Sequence, residues 1–119
     1  MNHTVRFQEI LRRLAIIDQG FVEDQAGIGL GLPGSRLLDP KTAALERVGA
    51  LVAIGSPPAC LEWSTTRALA AGATDDEITG VLLAIAPVAG LGRVTGAVPA
   101  IAAALGYDVE AALLDPDDR

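Results

Sequence analysis

One stretch of the chain carries its own start and stop signals. Ser56-Pro57-Pro58 opens it and Gly72 closes it, with Cys60-Leu61-Glu62-Trp63-Ser64-Thr65-Thr66-Arg67 between. A serine hydroxyl can accept from a free amide of a first helical turn, so Ser56 reads as an N-cap. Proline suits the first helical position, where no amide proton is needed. Glycine takes the left-handed conformation that ends a helix. The bracketed helix holds the only Cys and the only Trp of the chain. Cys60, Ser64, Arg67 and Ala71 follow 4-3-4 spacing and so line one stripe of it.

The rest of the sequence repeats this punctuation. Phe7, Ile10, Leu14, Ile17 and Phe21 form one apolar seam at helical spacing, with Glu9 and Arg13 as an i,i+4 pair on the wet side. Asp39-Pro40 starts a helix that Gly55 stops. Ala44, Val48 and Leu51, widened by Leu45 and Val52, make that helix apolar nearly all round, which places it centrally. Thr74-Asp75-Asp76-Glu77 reads as a capping box. Ile78, Val81, Leu82 and Ile85 follow as a buried face, and Pro87 is expected to kink or end that helix. Gly90-Leu91-Gly92 marks a turn or a very close approach. Val94, Val98, Ile101 and Leu105 give a last long helix, with Pro99 inside it and Gly106 closing it. Asp108 caps a short helix through Leu114, and Asp115 to Arg119 is an acidic tail.

Composition agrees with helices. Half the residues are hydrophobic but aromatics are 3%, so the apolar bulk is Ala, Leu, Val and Ile rather than the β-branched and aromatic mixture of sheets. The expected fold class is all-α, a single-domain helical bundle of about five to six helices. Its parts are an N-terminal helix and Gly-rich connection (1–37), a core (38–106), and a short C-terminal helix and tail (107–119). A domain this small buries only roughly two-thirds of its surface. A mean hydropathy of +0.39 therefore leaves more apolar surface than a monomer comfortably exposes, and a homo-oligomer is expected.

Several function classes are disfavoured. A net charge of −6 repels nucleic acid and anionic membrane at long range. The longest uncharged run, Ile78 to Gly92, is fifteen residues, short of a membrane span. Charges run through Met1 to Gly20, unlike a signal peptide, so a cytoplasmic location is expected. One Cys excludes an internal disulfide. One terminal His (His3), one Cys and scattered carboxylates form no ligand cluster, so no metal is expected. Gly29-Leu30-Gly31-Leu32-Pro33-Gly34 fits G-x-G-x-x-G by letter. A dinucleotide site needs a strand before it and a helix opening from it, and Pro33 breaks the helix start. The segment reads as a connecting loop, with an active-site flap or a subunit-bridging loop as the alternative.

Five blocks together resemble the carboxymuconolactone decarboxylase family, which includes the alkylhydroperoxidase D proteins. They are Leu38-Asp39-Pro40-Lys41-Thr42, Gly55-Ser56-Pro57, Cys60-Leu61-Glu62-Trp63, Arg67 through Thr74, and Ala86-Pro87-Val88-Ala89-Gly90. The resemblance covers roughly Leu38 to Gly106. It implies an all-helical, alkylhydroperoxidase D-like fold that assembles as a trimer or hexamer. The peroxidase branch of the family uses a Cys-x-x-Cys pair, a His four residues after the second Cys, and a Glu on the preceding helix. Here Cys60 matches the second Cys, while Pro57 stands in place of the first and Ser64 in place of the His. The Glu position falls on Ala44, with Glu46 two places on. The two-Cys peroxidase machinery is thus missing. The decarboxylase branch needs no cofactor.

Two function classes follow. One is a cofactor-independent lyase on a small lactone or carboxylate compound. Glu46 or Glu62 would move protons, Arg67 or Arg93 would hold an anion, Trp63 would be a platform, and Cys60 and Ser64 would line the pocket. The other is a non-catalytic small-molecule binder or accessory oligomer. Within the enzyme class the alternative reaction is single-Cys thiol peroxidase chemistry at Cys60, which forms a sulfenic acid and needs an outside thiol to resolve it.

Overall fold

The computed structural model describes residues 3–16 and 37–114, and all of the regular structure among them is helical. The Gly-rich segment with the G-x-G-x-x-G letters, the seam residues Ile17 and Phe21, and the acidic tail lie outside the described residues. Met1–Leu38 and Asp39–Arg119 form two compact units.

The first unit contributes α1, His3–Ala15. Its Glu9 carboxylate accepts from Arg12 Nη2 at 2.8 Å and Arg13 Nε at 3.0 Å. These two guanidinium groups hold the Glu9 carboxyl down to about 2. The pair foreseen with Arg13 is therefore a three-residue cluster. Phe7 and Leu14 of the seam are exposed and Ile10 is half-buried.

The second unit holds five helices: α2 (Pro40–Ala53), α3 (Pro58–Ala70), α4 (Asp75–Ala89), α5 (Leu91–Leu105) and α6 (Val109–Leu114). Asp39 caps α2 by accepting from Thr42 N at 2.7 Å, with Pro40 in the first turn. At the other end Gly55 N donates to Val52 O and Ser56 N to Leu51 O, both at 3.0 Å, with Gly55 at φ 72. This is the double-bonded left-handed closure that favours glycine. The same closure ends α3, where Gly72 N reaches Leu69 O and Ala73 N reaches Ala68 O.

Two local expectations need correction. Ser56 is not the N-cap of α3. That position is Pro57, which makes no side-chain bond and instead offers its carbonyl to Cys60 N and Leu61 N. Ser56 already donates its amide to the closing turn of α2, which fixes it one place too early. Pro87 does not end α4 either. The helix runs two residues beyond it and stops at Gly90, φ 92. Proline removes the bond to the carbonyl four residues back, here that of Leu83, an exposed residue.

The core sits where α2 packs on α3, α4 and α5, as its all-round apolarity predicts. Val48, Ala68 and Ile78 are fully buried, and Val52 and Ile101 nearly so. Gly49 lets α4 approach closely, since a Cβ there would stand 3.1 Å from Val81 Cγ1. Two hydroxyl residues are buried as well. Thr65 Oγ1 and Ser64 Oγ both donate to Leu61 O, at 2.8 and 3.1 Å, so neither is left unpaired inside.

The foreseen capping box forms. Glu77 N donates to Thr74 Oγ1 at 3.1 Å, and Thr74 N to Glu77 Oε1 at 2.9 Å. Glu77 also takes Lys41 Nζ at 2.9 Å, tying the starts of α4 and α2 together. Lys41 first, and then the Thr74 amide, hold the Glu77 carboxyl below its ordinary value of 4.5. A carboxylate with a depressed folded pKa stabilises above its unfolded pKa, and that stability is lost as pH falls through the folded value. The thermal midpoint should therefore decline as pH drops below about 4.5. Glu77→Gln should show a shallower decline in melts between pH 7 and pH 3, and an identical slope would count against the pairing.

Candidate functional site

A cleft of about 280 Å³ opens where three segments meet. The end of α2 supplies Val52, and the turn after it Gly55 and Ser56. Leu61 comes from α3. The first turns of α5 supply Gly92, Arg93, Gly96 and Ala97. The pairs 92/96 and 93/97 are each four apart, so they share one face of α5. Gly92 and Gly96 leave that face bare, since a Cβ on either would meet nothing within 4 Å. Gly92 therefore shapes a groove rather than a close helix contact, and the turn itself belongs to Gly90.

Among the described residues, Arg93 is the only charged side chain that lines the cleft. It joins none of the ion pairs found among the described residues. Its guanidinium lies over the Cα of Gly55, at the C-terminal end of α2, the negative end of the helix dipole. Guanidinium presents five donors in a planar fork that suits a carboxylate. The other walls are apolar or backbone, with Ser56 as the one hydroxyl.

The remaining residues singled out from the sequence do not line this cleft. Cys60, Glu62, Trp63 and Arg67 are all exposed on α3. Glu62 and Cys60 are two apart, which sends them to different sides of the helix. Arg67 Cζ stands 5.3 Å from the centre of the Trp63 ring, a cation–π pair worth roughly 0.5–1 kcal/mol when exposed. Ser64 is buried with its hydroxyl turned onto Leu61 O. The stripe Cys60–Ser64–Arg67–Ala71 is thus split. The buried sector of α3 contains Leu61, Ser64, Thr65 and Ala68, and Ser64 lies at its edge while Cys60 and Arg67 fall outside it. Glu46 is exposed on α2. Gly55, Ser56, Gly92 and Gly96 were not foreseen as site residues, although the i,i+4 glycines of α5 are a legible sign of a groove.

A second hollow, of about 410 Å³, lies between Pro99, Ala103 and the start of α6, beside Tyr107, Asp108 and Glu110. Asp108 is already engaged there, accepting from Ala111 N at 3.0 Å.

The sequence model of the carboxymuconolactone decarboxylase family matches residues 30–106. The chain belongs to the carboxymuconolactone decarboxylase family. The match spans α2 to α5 and with them every residue lining the Arg93 cleft. The all-helical architecture among the described residues accords with this membership. No curated protein and no solved structure matches the chain. Among the described residues, no helix is long and apolar enough to cross a membrane.

Proposed function

We propose that this carboxymuconolactone decarboxylase family protein binds a small carboxylate-bearing compound, of the lactone-acid kind, in the cleft beneath Arg93. The observation that carries the reading is a single cation on a wall otherwise made of apolar side chains, glycines and the Ser56 hydroxyl. Small-molecule sites have this make-up, mostly apolar with a few convergent polar groups that fix orientation. Turnover has less support. A lyase needs a group that moves a proton within hydrogen-bond reach of the ligand, and neither Glu46 nor Glu62 lines the cleft. Peroxide chemistry at Cys60 has less still, because the chain has one Cys and it lies outside the cleft.

A suitable probe is 5-oxotetrahydrofuran-2-carboxylate, with its methyl ester as the uncharged control. A ligand of this size held by one exposed charge should bind at roughly millimolar Kd. The ester should bind at least about tenfold more weakly. Equal binding of acid and ester, or none of either, overturns the reading. The recovered lactone should be unchanged. Cofactor-free conversion of it would replace the binder with the lyase.

We further propose that the protein is a homo-oligomer, trimeric or hexameric as the family resemblance implies. Leu83, Val88 and Leu91, on the last turns of α4 and the start of α5, are 72%, 89% and 72% exposed. Large apolar side chains left this open are candidates for burial against a second copy. Light scattering at micromolar concentration should give three or six chain masses. The mass of a single chain would contradict the assembly.

A further inference from the structure

The cation of the cleft rests on a residue without a side chain. Gly55 has φ 72, a left-handed conformation that glycine adopts without steric penalty. A Cβ at this position would run into Arg93 Nη1 and stand 3.2 Å from Arg93 Cζ. Gly72, Gly90 and Gly106 also have positive φ, yet a Cβ on any of them meets nothing within 4 Å. At those three turns the missing side chain serves the backbone alone. At Gly55 it serves the backbone and also vacates the volume that the guanidinium fills.

We infer, building on the carboxylate reading above, that Gly55 is the positioning residue for Arg93. Its bare α carbon lets the guanidinium lie against the negative end of α2 and stay within the cleft. A held fork selects a planar carboxylate, whose two oxygens match two parallel N–H groups. Because the atoms in the way belong to the far end of a long side chain, a methyl at position 55 moves Arg93 aside rather than breaking the helix pair.

The lactone acid named above is the probe, titrated by calorimetry or NMR into wild type, Gly55→Ala, Gly106→Ala and Arg93→Gln. Gly106 closes α5 at φ 78, so its alanine variant imposes similar backbone strain with no Arg93 to displace. Gly55→Ala should weaken binding about five- to tenfold, no more than Arg93→Gln does, and Gly106→Ala by less than about twofold. In the Arg93→Gln background, Gly55→Ala should cause no further loss, because the two act through one group. If Gly55→Ala does not fold, Gly55→Asn carries the same Cβ and tolerates the left-handed region. Wild-type affinity in Gly55→Ala, equal losses in both glycine variants, or a loss that persists without Arg93 would each overturn the inference while leaving the carboxylate reading standing. Absence of binding by wild type would remove both.

Discussion

Ile78→Ala should destabilise the Asp39–Arg119 unit by about 2–5 kcal/mol. Ile78 is fully buried at the first turn of α4. It packs into a core made of Val, Leu, Ile and Ala, with no long or aromatic side chain to swing into the space. Removing its three carbons forfeits their transfer from water and leaves a cavity that short neighbours cannot fill. Domains of this size are stable by only about 5–15 kcal/mol in all, so the loss should be plain in urea unfolding as a lower midpoint with an unchanged slope. Thr79→Ala, at an exposed site on the same helix, should stay within about 0.5 kcal/mol. A loss below about 0.5 kcal/mol for Ile78→Ala would mean that the core is packed differently.

Arg93→Gln should weaken binding of the lactone acid by about tenfold, the low end of what a hydrogen bond to a charged group contributes. The low end applies because Arg93 is exposed and its field is screened by water and salt. Glutamine keeps a polar side chain of shorter reach, so the change removes charge without emptying the groove. Helical content should be unaltered, since Arg93 contributes nothing to the buried core. Unchanged affinity in Arg93→Gln would detach the cation from the site, and a loss of helix signal would make the variant uninformative about binding and assign Arg93 a structural role instead.

Most of the fold was legible because helix ends are written in local chemistry. Asp39-Pro40, the Thr74–Glu77 box and the left-handed glycines at 55, 72 and 106 each act over four or five residues, and each forms as read. Where two local signals compete, the reading slips. Ser56 looked like a cap for α3, but the closing turn of α2 had already claimed its amide. Pro87 is read as a kink or a stop, and of the two the stop is excluded, since the carbonyl it leaves without a donor belongs to an exposed residue and the helix continues to Ala89.

The candidate site was much less legible. Its lining comes from 52–56, Leu61 and 92–97, segments far apart in sequence that only the packing of α2, α3 and α5 brings together. Reading Cys60, Ser64 and Arg67 as one stripe assumed a shared environment. A helix face changes from core to solvent within a quarter turn, and α3 is divided along that line. Gly55 was read only as a helix stop because its second use depends on Arg93, thirty-eight positions away by residue number.

The most direct test of carboxylate binding beneath Arg93 is a map of amide shifts as the lactone acid is titrated into the whole protein. The largest changes should fall at Gly55, Ser56, Gly92 and Gly96, and should vanish with the methyl ester. Changes centred on Trp63 and Arg67, or on Tyr107 to Glu110, would contradict the account.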